Sequence, residues 1–85
     1  DISFGVITIS TSRWKKHGYV RGVDRIPQDD KSGRFLVDEL KAVDYMLIPD
    51  EKIAIAEGVL SMLKHVDAVV TTGGTGISPR DVTIE

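Results

Sequence analysis

The 85 residues include no cysteine, which excludes a disulfide framework and any thiolate metal site and suits a cytoplasmic setting. Histidine is almost as scarce. His17 and His65 are the only two; they lack ligand spacing, and each reads as a solvated or locally bonded side chain. No apolar run approaches the roughly 20 residues of a membrane-spanning helix, and no charged-then-apolar leader opens the chain. The expectation is an untargeted soluble protein with no membrane partner. A surplus of positive charge is missing too: 11 Lys and Arg against 13 Asp and Glu give a formal net charge of −2, which argues against a dedicated nucleic-acid binder. At 41% hydrophobic and 28% charged residues, the chain has the composition of one globular unit, and its length leaves no room for a second.

The elements that are present alternate. Phe4-Gly5-Val6-Ile7-Thr8-Ile9-Ser10 is β-branched and mostly apolar, the pattern of a strand covered on both faces. Leu36, Leu40 and Val43 fall at i, i+4 and i+7, which predicts an amphipathic helix capped by Asp30 or Ser32. Tyr45-Met46-Leu47-Ile48 is a second short strand. Pro49 and Asp50 are expected to open the next helix, with a stripe of Ile53, Ala56, Val59, Leu60 and Leu63, and a third strand follows from Asp67. This β-α-β-α-β order calls for right-handed crossovers and a parallel sheet. Two helices cannot cover both faces of such a sheet fully, no Met opens the chain, and Thr83 reads as the cap of a further helix. The expectation is therefore roughly the N-terminal half of a three-layer α/β/α domain with a mainly parallel sheet.

Between the first strand and the first of these helices lies a long connection, Thr11 to Asp30. It carries Arg13, Lys15, Lys16, Arg21 and Arg25, with Trp14 and Tyr19 among them. Basic residues interleaved with aromatics can hold single-stranded nucleic acid, and a basic lid can cover a polyphosphate. The plainer reading is a solvated loop, since no helix or strand pattern organises the charges.

The closing run Thr71-Thr72-Gly73-Gly74-Thr75-Gly76-Ile77-Ser78-Pro79-Arg80-Asp81 joins a buried-strand pattern to a glycine loop and ends on a carboxylate. Glycines without Cβ let backbone N–H groups approach an anion, and the position is where open α/β sheets bind ligands, outside the carboxyl end of a strand. An ordinary turn after a strand is the competing reading. Two phosphate loops are excluded by inspection. Walker A needs Gly-Lys-Ser/Thr, whereas Ile77 and Ser78 follow Gly76, and a dinucleotide fingerprint read from Gly74 meets Pro79 at its third glycine.

Several of these blocks occur together in one known family. Ile48-Pro49-Asp50-Glu51, Thr71 to Gly76, Ser78-Pro79-Arg80-Asp81-Val82-Thr83 and Asp30-Lys31-Ser32-Gly33 closely resemble, in order, segments of the MoaB/MogA family of molybdenum cofactor biosynthesis proteins, which includes the G domain of gephyrin. The likeness is nearer to the MoaB branch and runs over essentially the whole chain, so that residues 1–85 read as part of a molybdopterin-binding domain. Ile84 stands where many members have Pro after the Thr. The family's later Pro-Gly segment and remaining strands lie beyond these residues.

The resemblance implies a three-layer α/β/α fold, a homotrimer or hexamer, and binding of molybdopterin. In the active branches it implies adenylylation of molybdopterin by ATP with release of pyrophosphate. Other relatives bind the pterin or serve in assembly without catalysing this step, and the motifs do not separate the two. By motif, Asp50 and Asp81 take the family's functional aspartate positions, and Gly73, Gly74, Thr75 and Gly76 its ligand loop, with Ser78 just behind; Thr11 and Ser12, after the first strand, are further ligand candidates. AMP transfer brings anions together, so charge neutralisation dominates the chemistry. Carboxylates beside phosphates make sense if Asp50 and Asp81 hold Mg²⁺, which binds through one or two carboxylates plus phosphate oxygens and water. Taken singly, Asp50 reads as a helix N-cap and Asp81 as a turn residue.

Overall fold

The computed structural model describes residues 1–73 and the backbone of residues 80–83. Along the chain run β1 (Phe4–Ile9), α1 (Thr11–His17), β2 (Val20–Arg21), α2 (Lys31–Leu40), β3 (Asp44–Ile48), α3 (Lys52–Met62), β4 (Ala68–Gly73) and β5 (Arg80–Thr83). The strands form one sheet in the order β2-β3-β1-β4-β5. β1 lies at its centre, parallel to β3 on one side and to β4 on the other. Both edges are antiparallel, β2 against β3 and β5 against β4, so the sheet is mainly parallel but not wholly so. The chain explains one of these edges. Six residues separate Gly73 from Arg80, fewer than a parallel crossover needs, whereas an antiparallel return can be short. Thr83 is the last residue of that strand, and the helix expected after it lies outside the described residues.

Strand parity sorts the core into two layers, because successive side chains point to opposite faces. Val6, Tyr45 and Leu47 pack with Ile26, Val37 and Ala42 on the side of α2. Ile7, Ile9, Met46, Ile48 and Val69 pack with Met62 and Val66 on the side of α3. With a helix on each face, the three-layer α/β/α expectation holds. Among the described residues no helix is long and apolar enough to cross a membrane.

In both larger helices the inward face overlaps the expected stripe only in part. α2 buries Gly33 and Val37, with Leu36 and Leu40 half-covered, while Val43 lies beyond the helix and is 60% exposed. α3 buries Gly58 and Met62 and packs Ile55, Val59 and Leu63 against the core, leaving Ile53 and Leu60 exposed. The reason is that α3 is apolar nearly all round, so hydrophobic period alone does not select a face. Gly58 selects it. A Cβ there would stand 3.0 Å from Met46 Sδ and 3.4 Å from Ile48 Cδ1, so its absence lets the helix backbone close on the sheet. α3 also starts later than Pro49-Asp50 suggested: Glu51 occupies the cap position, with no side-chain cap bond.

The stretch from Thr11 to Asp30, expected to lack regular structure, contains α1 and β2. Ser10 caps α1 by accepting the Arg13 N–H at 3.2 Å. The helix buries no residue, so it carries no apolar stripe that a periodicity argument could detect. β2 is held by Arg21, whose guanidinium meets Asp44 at 2.7 and 3.0 Å and Ser61 Oγ at 3.2 Å. The Asp44 carboxylate holds that guanidinium above its usual range.

α2 begins on a fully buried carboxylate. Asp30 caps the helix by accepting the Gly33 N–H at 3.0 Å, and it also accepts a short hydrogen bond from Tyr45 Oη. Burial, and then the bond to Asp30, push the Tyr45 phenol well above its ordinary pKa, so it stays protonated and keeps donating. Removing one partner of a buried charged acceptor costs about 1.5–3 kcal/mol. Tyr45→Phe in the full-length protein is therefore expected to lower stability by that amount in urea denaturation with the denaturant slope unchanged. A loss below about 0.5 kcal/mol would show that the bond contributes little.

Candidate functional site

The parallel strands β3, β1 and β4 end at one level, with Ile48 beside Ile9 and Ile9 beside Gly73. The segments that leave these ends are stitched together. The Ser10 N–H donates to the Ile48 carbonyl at 2.9 Å, and the Asp50 N–H donates to Thr11 Oγ at 3.0 Å. Ser10 Oγ, which caps α1, lies 3.4 Å from Ser12 Oγ. Thr11, Ser12 and Asp50 thus lie together at the carboxyl edge of the sheet with Gly73 across β1, where open α/β sheets bind ligands.

Asp50 and the neighbouring Glu51 are exposed, and neither carboxylate has a hydrogen-bond partner among the described residues. That suits a ligand to a hydrated cation. The described residues contain no group of three or more His, Cys, Asp or Glu able to cage a metal by themselves. A Mg²⁺ ion, which takes one or two carboxylates and completes its shell with water and phosphate oxygens, fits this donor set better than an ion needing a full protein cage.

Gly73 is fixed by two constraints at once. Its φ is +111°, and a Cβ would lie 3.1 Å from both the backbone N and C of Ile9, with Ile9 O closer still. No other residue meets both. Gly74, Thr75, Gly76 and Ser78 lie outside the described residues. Asp81 belongs to β5, its backbone opposite Val70, so β1 and β4 stand between the strand that carries it and the strand that leads to Asp50.

Three features were not found by sequence reasoning. Ser10, which read only as the last strand residue, caps α1; Ser is a favoured cap residue, but Arg13 stands where a capping box has Glu or Gln and no apolar stripe follows, so the signal was weak. Arg13, Lys16 and His17 converge on Asp29, a cluster that local spacing does not reveal because the partners are 12 to 16 residues apart. A cavity of about 380 Å³ beside Pro49 is lined by Trp14, Tyr19, Met46, Ile48, Glu57 and Ser61 among others. It exists because α1 and α3 both flank β3.

Residues 5–85 match the family described as "Probable molybdopterin binding domain". The chain is 42% identical to a protein of Methanocaldococcus jannaschii named probable molybdopterin adenylyltransferase, in an alignment covering all of this chain and 50% of that relative. It is 40% identical to the molybdopterin adenylyltransferase of Pyrococcus furiosus, over 96% of this chain and 46% of the relative. It is 37% identical to molybdenum cofactor biosynthesis protein B of Staphylococcus carnosus, over all of this chain and 48% of the relative. The chain therefore spans about half the length of the curated relatives it matches. No solved structure gives a match.

The geometry at Gly73 yields a direct test. Gly73→Ala combines an unfavourable φ with a backbone clash, so it is expected to cost more than the ~1 kcal/mol of an ordinary glycine replacement, read by thermal or urea unfolding. Wild-type stability in this variant would show that the end of β4 is free to move away from Ile9.

Proposed function

Since this chain belongs to the family of probable molybdopterin-binding domains, we propose that it forms part of a molybdopterin adenylyltransferase, which transfers AMP from ATP to molybdopterin and releases pyrophosphate. Residues 1–85 supply the carboxyl edge of the sheet to the site. The observation that carries the reading is the position of Asp50, whose backbone is fixed at that edge by the bond from its own N–H to Thr11 Oγ while its carboxylate has no partner among the described residues. Thr11, Ser12 and the loop from Gly73 through Gly74, Thr75 and Gly76 to Ser78 are the proposed contacts for the pterin and nucleotide phosphates, and Asp50 and Asp81 the proposed catalytic carboxylates.

The chemistry follows from charge. Both substrates are anions, and what slows their meeting is repulsion and loss of hydration. Mg²⁺ held by Asp50 and Asp81 would neutralise phosphate charge and orient the polyphosphate. Because two strands separate the elements that carry them, the aspartates are assigned to different stretches of the bound phosphates. Backbone N–H groups of the glycine loop would hold phosphate oxygens without desolvating a side chain. Thr11 acts on Asp50 by position: its hydroxyl fixes the backbone at the start of the turn and leaves the carboxylate free.

The remaining parts of the proposal rest on the family. A homotrimeric or hexameric assembly accords with the exposed Ile53 and Leu60 on α3, an apolar surface that a subunit contact would cover. The absence of cysteine agrees with a cytoplasmic location.

The test is incubation of the full-length protein with molybdopterin, ATP and Mg²⁺, with product analysis for adenylylated pterin. Asp50→Asn and Asp81→Asn are nearly isosteric and remove only charge, so each is expected to lower the rate at least tenfold while the pterin still binds. Near wild-type turnover in both, at saturating and at limiting Mg²⁺, would remove the carboxylates from the mechanism. Tight pterin binding by the wild type without any product would identify a binding module instead.

A further inference from the structure

We propose that Ser12, Arg13 and Lys16 of α1 form a subsite for a phosphate group, in which the Asp29 carboxylate serves as an intramolecular stand-in for the ligand's oxyanion. The reading above bears on it only in saying which phosphate-bearing ligand arrives. Lys16 Nζ lies 3.2 Å from Asp29 Oδ2, and His17 Nε2 lies 3.0 and 3.2 Å from the two carboxylate oxygens. Arg13 Nε is 3.7 Å from Oδ1. One carboxylate thus faces two fixed positive charges and an imidazole. These contacts, the His17 bond foremost, hold its carboxyl below the usual range.

Two further observations point from a latch to a ligand site. First, an opening of about 250 Å³ lined by Ser12, Arg13, Lys16 and Asp29 lies on this side of α1, which is room for a phosphate group. Its lining residue Ser12 directly follows Thr11, the residue that fixes the Asp50 backbone, so an anion there would continue from the proposed phosphate contacts at the strand ends. Second, Arg13 does not depend on the carboxylate to hold the segment. Its Nε and Nη2 donate to the Asp29 backbone carbonyl at 3.2 and 2.8 Å. The tether of α1 to residue 29 therefore survives when the carboxylate is displaced, and Lys16, His17 and the Ser12 hydroxyl can turn to a phosphate. A phosphate carries more charge and more acceptor oxygens than a carboxylate, so it competes well for the same donors.

The reading requires neighbouring residues to act with opposite sign. Lys16→Gln is expected to weaken binding of inorganic pyrophosphate to the full-length protein roughly two- to fivefold in calorimetric titration, the scale of an exposed ion pair. Asp29→Asn, which removes the competing charge but keeps the backbone carbonyl, is expected to tighten it by a similar factor. Lys15 sits on the same helix, is exposed and does not line the opening; Lys15→Gln makes the same change in net charge and should leave the affinity unchanged. Equal losses in Lys15→Gln and Lys16→Gln would mean only diffuse attraction and would overturn the subsite, as would weaker binding in Asp29→Asn.

Trp14, the one tryptophan of these 85 residues, reports the seating of α1 through its emission, read as the difference from a Trp14→Phe protein. If Asp29→Asn shifts that emission, the comparison of Lys16→Gln with Lys15→Gln decides alone. Repeating the series with ATP and with molybdopterin assigns the subsite to nucleotide or to pterin phosphate according to which one shows the pattern; absence of the pattern with every probe overturns it. Failure of the two proposals is distinguishable. Pyrophosphate binding with this pattern but no adenylylated product keeps the subsite and removes the adenylyltransferase reading. Product formation with pyrophosphate affinity unchanged in Lys16→Gln does the reverse.

Discussion

A carboxylate with no exposure at all, that of Asp30, joins the parts of this domain that must stay in register. It starts α2 through the Gly33 N–H and accepts from Tyr45 Oη of β3. It also closes on β1, since a methyl group at Gly33 would press on the Thr8 hydroxyl at 2.7 Å and on the Asp30 carboxyl carbon at 2.8 Å. Burying a charge is expensive unless every lone pair finds a donor, and here the donors come from α2 and β3 together. The helix can form in place only when the strands are paired, and its start is fixed relative to them. Asp29, one residue earlier, turns to solvent and receives α1. Two adjacent aspartates thus face opposite ways, and the ends of β1 and β3 are positioned between the elements they hold.

On the other face of the sheet the fit is steric. Gly58 brings the α3 backbone onto Met46 and Ile48, and Met62 lies fully buried over Gly5. Close packing of this kind leaves little freedom to tilt the helix, and the turn Pro49–Glu51 that precedes it is constrained in consequence. Asp50 therefore gains its position from two sources: the packing of α3 behind it and the Thr11 hydroxyl in front. Its carboxylate takes part in neither, which accords with the ligand role proposed for it.

The layer architecture was legible because each source of it is local. Apolar and β-branched runs marked β1, β3 and β4, Asp30 and Ser32 marked the start of α2, and alternation of elements implied parallel crossovers. The family was legible because several short blocks occurred in the right order, each too weak alone. What was not legible depended on contacts distant in sequence. The faces of α2 and α3 are set by which residue must approach the sheet, and in a helix as apolar as α3 that residue is a glycine, which hydrophobic periodicity does not score. α1 escaped notice because a short, fully solvated helix has no stripe to read, and its order comes from Ser10 and from bonds to Asp29. Of the residues named as candidates, Thr11, Ser12, Asp50 and Gly73 lie at the strand ends. Their mutual arrangement was not legible, since the bond from Asp50 to Thr11 joins residues 39 apart.

The distribution of acidic groups gives the site a further argument. Asp44 is taken up by Arg21, Asp67 by the Ser3 N–H and hydroxyl, Asp30 by Tyr45 and Gly33, and Asp29 by Lys16 and His17. Each of these pairings joins two elements or closes a turn, and each spends its carboxylate on the fold. At the carboxyl edge Asp50 and Glu51 are exposed and, like Asp24, Glu39 and Glu57 elsewhere, have no side-chain partner among the described residues. Negative charge at the start of α3 is favoured by the helix dipole, so leaving it unpaired there costs little. A carboxylate can therefore stand at the strand ends at little cost in stability, and under the proposed function it would serve when a cation and an anionic ligand arrive together. A phosphate alone would be repelled by it; a phosphate accompanied by Mg²⁺ would not. On the proposed function, metal dependence of ligand affinity would then follow from what the fold leaves unbonded, and the proposed subsite on α1 would supply attraction for the part of the anion that lies beyond the metal's reach.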